Sequence, residues 1–102
     1  MLLFLDFETT GLEKSDKICS AGIIGSDGES FFCEYELIND GKKIPPKASA
    51  IHHITNEAIK AKPSFKESKI WALLQQYNHE DTTLIAHNAP FELNMLEKYN
   101  FF

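Results

Sequence analysis

The sequence predicts an α/β fold with a mixed sheet: an antiparallel three-stranded meander followed by a parallel strand. Three observations predict it. The apolar patterning reads β-β-β-α-β-α along the 102 residues. A strong turn signal, Ser26-Asp27-Gly28, joins the second and third strands into a hairpin. The fourth strand follows a helix, so a right-handed crossover lays it parallel to the first.

The first strand covers residues 2–7, where Leu2 to Leu5 form a short buried-type apolar run. Residues 13–17 read as a polar loop. The second strand is Ile18 to Ile24, small and apolar, and the third is Ser30 to Leu37. The third alternates apolar and acidic residues, so Glu34 and Glu36 are expected on a solvated face. Residues 38–47 form a loop, because Pro45-Pro46 fits neither a strand interior nor a helix interior. Its lysines, Lys42, Lys43 and Lys47, read as solvating charges. Ala48 to Ile54 suits a short helix, and Thr55 can cap another turn from Asn56 to Lys60. Ser64 with Glu67 three residues on forms a capping box for a helix running to Tyr77. Its core stripe is Ile70, Leu73, Leu74 and Tyr77, with Trp71 beside it. The fourth strand is Thr82 to Ala86. Asn88 caps the last helix, Pro90 sits in its first turn, and Phe91, Met95 and Tyr99 form its stripe. Phe101 and Phe102 end the chain as an apolar pair expected to be uncovered.

Composition narrows the function classes. One domain is the most that 102 residues allow. No apolar run approaches the ~20 residues of a membrane-spanning helix. The N-terminus lacks a basic region and a cleavage site, so a cytoplasmic protein is expected. Cys19 and Cys33 have no metal-ligand spacing and read as two free, largely buried thiols. The net charge of −5 argues against nucleic-acid binding by bulk charge, and every positive side chain is a Lys. Side-chain contact with phosphate must then be a point charge, not a bidentate fork.

The chemistry concentrates at the end of the first strand. Asp6 and Glu8 stand two apart and share one face of it. Two like charges side by side are costly unless neutralised, and a hard divalent cation is the natural neutraliser. Taken alone, the pair reads equally well as a solvated edge. Parallel neighbouring strands, however, place their carboxyl ends at one sheet edge, where ligands bind. Glu92 follows the fourth strand by one helical turn, so three carboxylates are expected to converge there. Such a set can hold one or two Mg²⁺ or Mn²⁺ ions for phosphodiester hydrolysis.

Phe4-Leu5-Asp6-Phe7-Glu8-Thr9-Thr10-Gly11-Leu12 resembles the first motif of the DEDD exonucleases of DEDDh type. This is the ribonuclease H-like superfamily that includes the proofreading epsilon subunit of bacterial DNA polymerase III. Ala86-His87-Asn88-Ala89-Pro90-Phe91-Glu92-Leu93-Asn94-Met95-Leu96 resembles the second motif, and Ile51-His52-His53-Ile54-Thr55 resembles a His-x-Ile-Thr segment between them. The match is collinear over nearly the whole chain. It implies a ribonuclease H-like sheet and a metal-dependent 3′→5′ exonuclease acting on phosphodiesters of nucleic acid, with two Mg²⁺ or Mn²⁺ ions. Asp6, Glu8 and Glu92 take the catalytic and metal-binding positions. Phe7, Thr9, Thr10, Gly11, Leu12, His52 and Asn88 fall at positions around the terminal nucleotide. His53 reads as structural or solvated.

Two departures matter. The second motif normally carries Asp where this chain has Glu92, and two-metal chemistry is sensitive to displacements near ~1 Å. The third motif, with its His base and last Asp, has no match among the four histidines, His52, His53, His79 and His87. Residues 1–102 therefore read as the N-terminal part of an exonuclease domain, C-terminally incomplete and weakly active or inactive by itself. The implied partners are a single-stranded 3′ end, DNA ahead of RNA, polymerase subunits, and a second copy through an exposed C-terminal edge. The alternatives are a non-catalytic module that binds nucleic acid or polymerase with this fold, and an RNA-directed exonuclease.

Overall fold

The structure, a computed structural model, describes residues 1–101. Strands β1 (Leu2–Thr9), β2 (Ile18–Ser26) and β3 (Phe31–Leu37) are followed by helices α1 (Pro46–His52) and α2 (Asn56–Ile59). A 3₁₀ turn (Phe65–Glu67), helix α3 (Lys69–Gln76), strand β4 (Thr83–Ala86) and helix α4 (Ala89–Lys98) complete the order. The sheet order is β3-β2-β1-β4. The meander is antiparallel, and β4 lies parallel to β1 with Leu2 opposite Thr83 and Leu5 opposite Ala86. The mixed α/β sheet is the predicted one.

Alternation along β1 decides where the core lies. Leu3, Leu5 and Phe7 are buried, whereas Leu2 and Phe4 on the other face are more than two-fifths exposed. Helices α3 and α4 cover the first face through Ile70, Leu74, Met95 and Leu96. Phe65 is the hub and is fully buried. Its ring meets Tyr99 at 4.8 Å, Trp71 at 5.4 Å and Phe7 at 5.7 Å, each edge-to-face. A smaller cluster of Cys19, Ile44, Ala48, Ile54 and Ile59 seats α1 and α2.

Several expectations need correction. The capping box is only half made: Ser64 Oγ donates to Glu67 Oε1 at 2.8 Å, yet Ser64 caps no backbone N–H. The chain passes through a 3₁₀ turn, and Ser68 caps α3 instead, accepting from the Trp71 amide at 3.1 Å. Glu36 is not a purely solvated charge, because its Oε1 accepts from the Lys69 amide at 2.9 Å at the same helix start. Cys19 is buried but Cys33 is exposed, since Cys33 pairs with Ile24 on the uncovered sheet face. Phe101 is buried at 5% exposure, its ring 5.8 Å from Trp71, so it does not form an exposed apolar edge. Phe102 lies outside the described residues. Helix α1 begins two residues before the expected start, with Pro46 in its first turn where no intrahelical N–H is required.

Candidate active site

The end of β1 is held by its neighbours. The pairing with β2 shifts register between Glu8 and Thr9, re-aiming the chain as it leaves the sheet. Beyond it the loop closes on one carboxylate. Asp16, 7% exposed, accepts from the Thr10 hydroxyl at 2.8 Å and from the Glu13 amide at 2.8 Å. Lys42 Nζ lies 3.7 Å from the same carboxylate. Burial alone would raise its pKa, but the Glu13 amide, the Thr10 hydroxyl and the positive charges of Lys42 and Lys98 outweigh it and lower it. Gly11 is required here: a Cβ at that position would overlap the Asp16 carboxylate.

His52 ties this loop to α1. The Ile54 amide donates to its Nδ1 at 3.1 Å, so in the neutral ring Nε2 carries the proton. Nε2 donates to the Thr9 carbonyl at 3.0 Å. Cys19 Sγ lies 3.7 Å from the same nitrogen. The Cys19 thiol, buried and near Glu8, has its pKa pushed up to about 11 and stays protonated at neutral pH.

The three carboxylates approach from two sides of β1. Asp6 and Glu8 project from the face that carries Leu2 and Phe4, with Asp6 exposed and Glu8 half-buried. Glu92 comes from α4 on the core side, at 5% exposure, and its Oε2 accepts from the Phe7 amide at 3.3 Å. Burial chiefly, and then the charges of Asp6 and Glu8, raise the Glu92 pKa, while the Phe7 amide opposes the rise. Among the described residues no three His, Cys, Asp or Glu side chains stand close enough to form a ready ion cage. The expected convergence is thus an electrostatic neighbourhood, not a closed ligand set.

The donor chemistry still suits a hard divalent cation. All three groups offer carboxylate oxygens, and among the described residues none has a cationic side chain within ion-pair distance. Asp6, Glu8 and Glu92 are the residues that would hold such an ion.

Beside them lies a cleft of about 470 Å³ lined by Phe7 to Glu13, Asp16, Pro45, Lys47, Ala48, Ile51, His52 and Phe91. That volume falls in the ~300–1,000 Å³ range of small-ligand sites. Leu12 is 88% exposed and Ile51 75% exposed at this cleft, two apolar side chains left in solvent. The other expected contact residues behave differently. Phe7 is 3% exposed, and its ring belongs to the core. The Thr10 hydroxyl is fully engaged: it donates to Asp16 and accepts from the Lys17 amide at 3.1 Å. The Thr9 hydroxyl donates to the Gly11 carbonyl at 2.8 Å. Asn88 occupies the cap position of α4 without a side-chain cap bond and does not line the cleft. His53 is exposed with φ 63°, consistent with a structural or solvated role.

Ile51, Pro45, Lys47 and Phe91 line the cleft but escaped the sequence reading. Ile51 carried the available signal, as a large apolar residue one position before the histidine of the middle segment. Asp16 gave no signal, since a lone Asp in a polar loop has no periodicity to interpret.

The mixed sheet, its first strand ending in two carboxylates beside a ligand-sized cleft, places the chain among α/β domains. The chain belongs to the exonuclease family, whose model (RNase_T, exonuclease) matches residues 3–101. It is 34% identical over 95 residues to the DNA polymerase III subunit epsilon of Treponema pallidum, a match covering 89% of this chain and 42% of that protein. It superposes on Exonuclease X, solved in complex with 5′ overhanging duplex DNA, with TM-score 0.70 at 27% identity. That match covers 93% of this chain and 53% of the Exonuclease X chain. Exonuclease I of E. coli, solved with a dT13 oligonucleotide, shares the fold with TM-score 0.74 at 22% identity, over 99% of this chain and 23% of that one. The chain therefore spans less than half the length of the epsilon relative and about half of Exonuclease X. Among the described residues no helix is long and apolar enough to cross a membrane.

Proposed function

We propose that this chain carries the carboxylate group of a metal-dependent 3′→5′ exonuclease site that acts on single-stranded DNA ends. The observation that supports it most is the carboxylate group at the end of β1. Asp6 and Glu8, with Glu92 behind them, lack cationic partners among the described residues and adjoin the cleft. Family membership and the DNA held by Exonuclease X in its solved complex point the same way.

Each residue has a distinct part. Asp6 and Glu8 hold the cations from the open face of β1, and Glu92 adds its charge from the core side. Two Mg²⁺ or Mn²⁺ ions, when bound, supply Lewis acidity to the phosphoryl oxygens and lower the pKa of water. The backbone from Thr9 to Gly11 grips the terminal nucleotide, and Leu12 and Ile51 flank its base. His52 acts on substrate through Thr9, whose carbonyl it holds in place. Glu92, one methylene longer than the Asp the motif normally carries, displaces the third carboxylate and slows hydrolysis, since two-metal chemistry is sensitive to shifts near ~1 Å.

One observation favours a second reading, a non-catalytic module that binds nucleic acid or a polymerase subunit. Glu92 stands where the motif normally carries Asp, and its Oε2 is bonded to the Phe7 amide. Calorimetric titration with Mn²⁺, using Asp6→Ala as control, separates the two. Binding in the wild type that disappears in D6A is expected; no binding in either protein rules out the exonuclease reading and leaves the module. Labelled single-stranded DNA with Mn²⁺ should be shortened slowly from its 3′ end, and rapid release of nucleotides would show that Glu92 serves as well as Asp.

A further inference from the structure

Charge is segregated along this chain. Residues 42–69 hold seven of the ten lysines and two of the fifteen acidic residues. An acidic protein has thus gathered its positive charge into one stretch, from the loop before α1 to the start of α3. Part of it forms a groove of about 260 Å³ lined by Asn39, Gly41, Lys42, Lys43, Asn56, Ile59 and Lys60. Among the described residues no carboxylate lines it. Asn39 and Asn56 direct their amides to backbone groups, of Ile59 and Ile44, which fixes the floor. Among the described residues Lys43 and Lys60 enter no ion pair. Lys42 Nζ lies 3.7 Å from Asp16, and Asp16 lines the nucleotide-sized cleft, so one ion pair separates the two depressions.

We propose that this groove is a track for the phosphodiester backbone of a single-stranded nucleic acid whose end sits in the cleft. The inference rests on the exonuclease reading above. A lysine-lined groove without carboxylates attracts polyanions, and lysine serves as a point charge where no guanidinium is available. Continuity through Lys42 and Asp16 sets the direction: the strand leaves the cleft past α1 toward α2. The terminal nucleotide is recognised in the cleft, and the groove adds affinity that grows with strand length.

The test compares a mononucleotide, dTMP, with a labelled dT12 strand in the presence of Ca²⁺, across a series of salt concentrations. Lys43→Gln/Lys60→Gln should weaken dT12 roughly tenfold at low salt and leave dTMP unchanged. The slope of log affinity against log salt should shrink by about 1.4, at ~0.7 for each of two phosphate contacts. Lys66→Gln/Lys69→Gln removes the same charge from positions that do not line the groove, and should change dT12 binding much less. Equal losses in the two double variants would overturn the track and point to bulk charge. So would dT12 binding no tighter than dTMP, or preference of the groove for an acidic peptide over dT12. Failure of the wild type to bind dTMP at all would instead remove the exonuclease reading itself.

Discussion

Asp16 and Glu92 are both buried carboxylates, 7% and 5% exposed, and the chain treats them in opposite ways. Asp16 is saturated. A hydroxyl, a backbone amide and an ammonium surround it, and its pKa is lowered. Glu92 receives a single long bond from the Phe7 amide and faces two further acids, and its pKa is raised. One carboxylate is neutralised within the fold, and the other sits among like charges. A buried carboxylate held beside two other acids, with no cationic side chain near it among the described residues, is costly to keep charged, so it marks a place where a cation from outside the chain is expected to bind.

The largest way to break this comparison is to empty the satisfied side. Asp16→Ala orphans the Thr10 hydroxyl and the Glu13 amide and unpairs Lys42. The expected loss is ~3 kcal/mol of stability, measured by urea denaturation. A change below ~0.5 kcal/mol would mean that the loop closes without Asp16. Gly11→Ala attacks the same contact from the other side, since its methyl group displaces the carboxylate. An expected cost of ~1–3 kcal/mol follows from overpacking. Both variants should also weaken nucleotide binding, because the Thr9-to-Gly11 backbone leans on Asp16.

These two predictions concern residues that the sequence reading valued differently. Gly11 stood out because it belongs to a motif, yet the close approach that requires a glycine there is the one to Asp16. Asp16 was invisible, because a loop acid announces itself only through partners brought in by folding. Strand order, the hairpin and the parallel β4 were legible, since alternation and turn residues are local signals. The start of α3 was not, because Ser64-x-x-Glu67 and Ser68 offer competing caps four residues apart, and tertiary packing of Phe65 chose between them. The Tyr99 hydroxyl donates to Asp40 and accepts from the Ile18 amide, a link across more than half the chain that no local pattern encodes. At the candidate site the sequence delivered the three acids, but not the fact that Glu92 arrives from α4 already bonded to the Phe7 amide.

A smaller effect is expected on the deficient side, with the opposite sign. Glu92→Gln keeps the shape and removes the buried negative charge beside Asp6 and Glu8. In cation-free buffer at pH 7 it should stabilise the protein by ~1 kcal/mol. Adding Mn²⁺ should raise the wild-type Tm, since a ligand of the native state stabilises it by mass action, and raise that of E92Q less. A destabilised E92Q would show that Glu92 is a structural acceptor for the Phe7 amide and nothing more.

The smallest effect, and the one that most sharpens the contrast, is the pH dependence. A carboxyl with a lowered folded-state pKa stabilises above its unfolded pKa of ~3.9, and that stability is lost as pH falls through the folded value. Asp16 therefore weakens the protein on the acid side. A carboxyl with a raised pKa does the reverse: its contribution is complete below the unfolded value of ~4.3 and is lost as pH rises through the folded one. Glu92 therefore lowers stability above that point. The difference in unfolding free energy between E92Q and wild type should grow from acid pH upward and level off once Glu92 is fully ionised. In Asp16→Asn the acid limb should flatten while the upper limb keeps its wild-type slope. Saturating Mn²⁺ should remove the upper limb from the wild type, because a bound cation supplies what the fold withholds from Glu92. A wild-type upper limb unchanged by Mn²⁺ would separate Glu92 from the metal-binding pair and leave Asp6 and Glu8 as its only members.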